Sequence, residues 1–297
     1  MSKSWVVLLM TVPILALVGA MAVGVWWMRR DRRRDPLTSE LLRLPGASVA
    51  AQVDSIGESL FSNFLAALFA GVAILLMVLL RRIRADTIAF DWIDAITCLP
   101  VLLYCLWVTY KTLRLMAQLR QNKAGLRAEL ATAQEIGAVL AGNNRMFHDV
   151  QAGTFNIDHV VVSLSGVFAV ETKSRRKPPA GGGADKVKVR YDGKALSFPG
   201  WSETEPIVQA ERQAKWLAAY LRKATGESFP VTPVLALPGW FVENTARISE
   251  GMVRVINPKK SDWLFVKPRG AGLDPAAIQR VSFAVEKLVV QEAPAVK

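Results

Sequence analysis

Cysteine and histidine are scarce, with two of each in 297 residues. Cys98 and Cys105 stand seven positions apart in one hydrophobic stretch, about 10 Å along a helix, which is too far for a disulfide. No metal-ligand spacing surrounds them, and His148 and His159 complete no zinc set. A disulfide framework and a thiolate or imidazole zinc centre are therefore excluded. Acidic charge is also short: 25 Asp and Glu face 37 Lys and Arg, a net charge of +12. From residue 111 onward, 27 basic residues face 17 acidic ones, so that part carries ten of the twelve excess charges. Such an excess fits a polyanion such as nucleic acid, and fits equally a surface beside anionic lipid.

Apolar residues are plentiful. They make up 52% of the chain, and the mean hydropathy is positive, which implies a membrane part beside a globular part. Residues 4–28 carry no charge over 25 positions and residues 59–80 none over 22, each enough for a helix across a hydrocarbon core of roughly 30 Å. A third segment, at about 90–110, contains Pro100 and needs Phe90, Trp92 and Ile93 to reach that length. Three spans would place Arg29, Arg30, Arg32, Arg33 and Arg34 on the same side as Lys111, Arg114, Arg120 and Lys123, and basic flanks mark the cytoplasmic side. The expectation is a multi-pass protein of a bacterial inner membrane with a cytoplasmic C-terminal domain. A signal peptide cut near residues 20–22 is the rival reading of the first segment. The expected division is a membrane region at 1–110, a basic linker at 111–124 and a globular domain at 125–297.

In the globular part, residues 125–141 show helical periodicity, with Leu126, Leu130, Ala133, Gly137 and Leu140 on one stripe. Glu129 falls within the apolar arc, where a carboxylate is costly unless a cation or donor meets it. Residues 156–173 read as a hairpin turning at Ser165-Gly166, and a second hairpin flanks Asp192-Gly193. Helices are expected at 206–224, with Ile207, Ala210, Ala214, Leu217 and Leu221 on the inner face, and after the Asp274-Pro275 cap, where Ile278, Phe283, Val285, Leu288 and Val289 supply apolar surface; short strands are expected at 231–237 and 252–256. The fold class is α/β, a mixed β-sheet flanked by helices behind transmembrane helices.

The first hairpin carries the chemistry. A turn at Ser165-Gly166 sets Asp158 opposite Lys173, and the two-residue alternation of strands puts Asp158, Glu171 and Lys173 on one face. A one-residue slip would separate them. Two neighbouring carboxylates repel unless cations offset them; Lys173 offsets one charge and a divalent ion the other. Magnesium suits such oxygen donors, since it takes one or two carboxylates, several waters and a phosphate oxygen. On this reading Asp158 and Glu171 hold Mg²⁺ or Mn²⁺, and Lys173 orients a water that attacks a phosphodiester. An ordinary cross-strand ion pair would use the same residue types. Arg175, Arg176 and Lys177 follow as candidate phosphate contacts or a solvated charge run.

These residues, in the stretches Gly125-Leu126-Arg127-Ala128-Glu129, Asn156-Ile157-Asp158-His159, Gly166-Val167-Phe168-Ala169-Val170-Glu171-Thr172-Lys173 and Pro206-Ile207-Val208-Gln209-Ala210, resemble the nuclease-related domain (NERD) family. That family is assigned to the PD-(D/E)XK nuclease superfamily. The resemblance implies metal-ligand roles for Asp158 and Glu171, a catalytic lysine role for Lys173, a helix-borne acidic role for Glu129 that includes metal binding, and an auxiliary polar role for Gln209. It departs from the family at Ala128, where Gly is usual, at Ser174, where Asn is common, and in the Pro/Gly-rich insertion after Arg176. The expected function is membrane-anchored, metal-dependent hydrolysis of DNA. A non-catalytic nucleic-acid-binding or scaffolding module on the same fold is the alternative.

Overall fold

A computed structural model describes residues 42–85, 92–178, 187–247, 249, 251–265 and 272–290. The expected first span, at 4–28, lies outside them. In chain order the elements are α1 (Ala47–Ala85), α2 (Trp92–Ala138), β1 (Arg145–Ala152), β2 (Phe155–Ser163), β3 (Gly166–Thr172), β4 (Lys188–Tyr191), β5 (Leu196–Phe198), β6 (Trp201–Glu203), α3 (Glu205–Thr225), β7 (Val231–Ala236), β8 (Phe241–Asn244), β9 (Arg254–Ile256) and α4 (Pro275–Glu286). The described residues divide into two compact units. One comprises residues 55–119, and the other comprises those within 39–54 and 120–297.

The first unit holds most of α1, whose stretch Ala47–Arg81 makes it the one helix among the described residues that is long and apolar enough to cross a bilayer. The segment expected as a further span at 90–110 opens α2 and does not reach that measure. Nor does the chain break after it. Residues 111–124, expected as a linker, continue α2 without interruption to Ala138, because their Leu, Lys, Arg, Gln and Ala are strong helix formers and no proline stops them. Lys111 Nζ donates to Asn63 Oδ1 at 3.2 Å, joining α2 to α1 within this unit.

The second unit is built on two sheets rather than the single one expected. Five strands run in the order β1-β2-β3-β7-β9 and four in the order β6-β5-β4-β8. Strands β1, β2 and β3 form an antiparallel meander, whereas β7 and β9 join in parallel after crossovers. Both faces of the five-stranded sheet are covered, so β2 and β3 read as near-continuous apolar runs. Val160, Val162, Val167 and Ala169 pack with Ala214, Leu217 and Leu221 of α3 and with Ile278, Val281 and Val285 of α4. On the other face Val161, Phe168 and Val170 pack with Ile136 of α2.

The helix ends follow their sequence signals. Asp274 Oδ1 accepts the Ala277 N–H at 2.6 Å and Pro275 begins α4, whereas α3 stops where Gly226 turns left-handed (φ 77°) and donates to the Arg222 carbonyl. On α3 the expected inner residues, Ile207, Ala210, Ala214, Leu217 and Leu221, are buried. The stripe expected on α2 is rotated. Leu130 is 46% exposed, and the buried face is Ala128, Glu129, Thr132 and Ile136. Phe283 of α4, expected to add apolar surface to the core, is also exposed.

The first hairpin differs from its expected register. Ser163 pairs with Gly166 and His159 with Val170, which makes Leu164-Ser165 the turn. The Ser163 hydroxyl donates to the Leu264 carbonyl and accepts the Ser165 N–H at 3.1 Å, which holds the turn one position earlier. Moving a turn by one position shifts the pairing by two residues, so side-chain faces are preserved. One more step along this register sets Asp158 against Glu171 rather than Lys173.

Candidate active site

Glu171 and Lys173 lie where β3 ends, on the face covered by α3. Lys173 Nζ is 2.7 Å from Glu171 Oε1. Gln209, in the first turns of α3, bridges the pair: its Oε1 accepts from Lys173 Nζ and its Nε2 donates to Glu171 Oε1, both at 2.8 Å. Gln213, one turn further on the same helix face, donates to Glu171 Oε2 and to the Asn156 carbonyl. Both oxygens of this buried carboxylate are therefore engaged. Gln213 is fully buried with its Oε1 unpartnered. Sequence reasoning passed over it, although its place four residues after Gln209 was the available signal.

Asp158 enters from β2, where its Oδ2 accepts the Thr172 N–H at 2.7 Å. Burial, then the neighbouring Glu171 and Glu129, hold its pKa well above the usual carboxylate range, against the opposing Thr172 N–H and Lys173. Glu129 reaches the same cavity from α2. Its pKa is raised to about 7 by burial, then by Asp149 and Glu171, while Lys173 acts the other way. Glu129, Asp158, Glu171 and Lys173 together line a cavity of about 440 Å³ whose further wall is Ser174 to Arg176.

Asp149 is the second residue that sequence reasoning missed. It is a non-glycine residue in left-handed backbone (φ 50°), and its carboxylate is buried. Arg43 Nε donates to it at 2.7 Å, Ser48 N at 3.0 Å, Ser48 Oγ at 2.6 Å and Asn156 Nδ2 at 2.9 Å. The segment before α1 is thereby held against β1. A Cβ added at Gly46 would come 2.5 Å from Leu126 Cδ1 and 3.3 Å from Glu129 Oε2, so this segment also borders Glu129.

The candidate phosphate contacts separate. Arg175 is committed to Glu203 in a two-pronged pair (Nε to Oε1 2.8 Å, Nη2 to Oε2 2.9 Å), and its carbonyl accepts the Trp240 indole N–H. Lys177 lies over the Trp240 ring at 5.8 Å. Arg176 is exposed on the cavity rim. His159 sits on the opposite face of β2 from Asp158, buried, with its Nδ1 2.9 Å from Nδ1 of His148. The tryptophans pack with protein groups: Trp216 stacks on Tyr220, Trp201 on Phe198, and Trp263 meets Phe168 edge-on.

The chemistry of the donor set bears on a metal. Three carboxylates share one cavity with a single lysine; burial first, and then neighbouring carboxylates, raise the pKa values of Asp158 and Glu129, and a divalent cation would offset the carboxylate repulsion. Among the described residues no three His, Cys, Asp or Glu side chains stand in a metal-holding group, so Glu129 is not assembled with Asp158 and Glu171 into a cage. A donor set of two carboxylates, Asp158 and Glu171, fits the ion that binds through one or two carboxylates and completes its shell with water and phosphate.

No curated protein and no solved structure matches this chain. Residues 124–238, the segment that contains Glu129, Asp158, Glu171, Lys173, Gln209 and Gln213, match the family model of the nuclease-related domain, NERD.

Proposed function

We propose that this chain is a membrane-associated, metal-dependent nuclease that hydrolyses phosphodiester bonds of DNA, with its site on a PD-(D/E)XK-type core. One observation carries the reading: Asp158, Glu171 and Lys173 line one cavity, with Glu129 entering it from a separate helix. Asp158 and Glu171 would hold Mg²⁺ or Mn²⁺, which when bound polarises a phosphate and acidifies a water. Lys173, steered by Gln209, places its ammonium where it orients the attacking water and meets the charge that grows on the phosphate oxygens. Gln209 and Gln213 fix the Glu171 carboxylate, so its oxygens enter the reaction already positioned. Glu129, with a pKa of about 7, holds or releases a proton near neutrality beside that water.

The engagement of both Glu171 oxygens by Lys173, Gln209 and Gln213 favours a second reading, a nucleic-acid-binding module without catalysis. One experiment separates the two. The full chain in detergent, supplied with Mg²⁺ and linear DNA, is expected to cut it, and Asp158→Ala and Lys173→Ala are expected to abolish cutting. Equal DNA binding by all three proteins with no cleavage by any would establish the second reading.

A further inference from the structure

A second cavity, of about 660 Å³, adjoins the first and shares Ala124, Ser174, Arg175 and Arg176 with it. Its floor is one face of α2: Arg120, Lys123 and Arg127 recur at the three- and four-residue spacing that stacks side chains along a helix. All three are exposed, no acidic residue lines this cavity, and among the described residues none of the three forms an ion pair. Arg176 also lines this cavity. At 1.5 Å per residue the three cations span about 10 Å, the axial rise of roughly three nucleotides of one strand at 3.4 Å each.

We propose that Arg120, Lys123 and Arg127, together with Arg176, form a track that holds the sugar-phosphate backbone of a nucleic acid strand as it enters the carboxylate cavity. The inference rests on the reading of that cavity as a nuclease site, and it assigns to α2 a binding role beyond delivering Glu129. Two features favour nucleic acid over a lipid headgroup. The track shares lining residues with the carboxylate cavity, and it is a row of cations along a helix. Arg175 is not part of the grip, because Glu203 already occupies its guanidinium.

The test uses the full chain in phosphatidylcholine nanodiscs, with EDTA present and a fluorescein-labelled 20-base-pair duplex as probe. The variant R120Q/K123Q/R127Q removes the charges and retains helix-forming residues. It is expected to bind at least about ten-fold more weakly at 50 mM salt, with a salt dependence shallower by about 3 in logarithmic slope. Lys215→Gln, which removes an exposed charge on α3, is expected to leave binding unchanged. If the triple variant melts below wild type, K123Q and R127Q singly carry the test, each making the slope shallower by about 1. Wild-type affinity and slope in the triple variant would overturn the track and leave the nuclease reading standing. A wild type that binds no DNA would remove both. A wild type whose DNA affinity falls to that of the triple variant in phosphatidylglycerol nanodiscs would assign the row to lipid headgroups and overturn the proposal.

Discussion

Lys173, just past the end of β3, and Glu171, within it, form an ion pair of 2.7 Å that Gln209 braces from α3. The lysine therefore occupies one of the two oxygens that Glu171 could offer a metal. A cation held by Glu171 through Oε1 would share that oxygen with the ammonium or displace it.

Lys173→Met tests that competition. Cleavage is expected to fall by at least about 100-fold, the usual scale for losing a group that acts on the attacking water. Mn²⁺ binding, followed by titration calorimetry, is expected to be unchanged or tighter because a neighbouring positive charge has gone. Weaker Mn²⁺ binding in this variant would show that Lys173 supports the metal site instead of competing with it.

Glu129 gives stability a pH dependence of defined sign. Its folded pKa, about 7, lies above its ordinary value, so the folded state holds this proton more tightly than the unfolded chain does. The corresponding stability is complete below the unfolded pKa of 4.5 and is lost as pH rises to 7, a loss of at most about 3 kcal/mol. Chemical denaturation of wild type and Glu129→Gln at pH 5 and pH 8 measures it: the variant is expected to lose less stability between them. Added Mg²⁺ is expected to shrink the wild-type loss. Parallel curves for the two proteins would show that Glu129 does not titrate in this window.

Asp149→Asn keeps the left-handed backbone, which asparagine tolerates, and removes the charge that meets Arg43. Leaving a largely buried guanidinium without its carboxylate is expected to cost about 3 kcal/mol, read by thermal unfolding. Hydrogen exchange at the Ser48 amide is expected to accelerate, since Asp149 caps the first turn of α1 from another element. The variant should also lower the pKa of Glu129, as Asp149 is one cause of its elevation. Unchanged unfolding together with an unchanged Glu129 titration would remove this residue from the site.

His159 acts with the opposite sign. Burial first, then His148, lowers its pKa to about 3, so the folded state favours the neutral ring. Its stability contribution is complete above 6.5 and declines as pH falls from 6.5 toward 3. Glu129 penalises the folded state toward higher pH and His159 penalises it toward lower pH, which narrows the pH range of greatest stability between them.

The local patterns that were legible were those with a fixed period. Strand alternation put Asp158, Glu171 and Lys173 on one face, and the grouping survived a wrong turn because the true register differs by two residues. The inner face of α3 and the cap of α4 were legible for the same reason: helical spacing and the Asp-Pro start are local chemistry. Strand β1 was not legible, because Arg145–Ala152 mixes polar and apolar residues without clear alternation and is specified by its partner β2. The continuity of α2 through 111–124 was obscured by reading a change of composition as a change of structure.

By itself the sequence determined the helical face of α3, the cap of α4, the basic excess and the shared face of three ionic groups, because periodicity and composition act within a few neighbouring residues. Only the tertiary structure decided that Gln213 clasps Glu171 across 42 positions, that Arg43 reaches Asp149 across 106, and that Arg175 is committed to Glu203. Those contacts join elements brought together by packing. A side chain's partner at such separation depends on which helix covers which face of the sheet, and no local period encodes that choice.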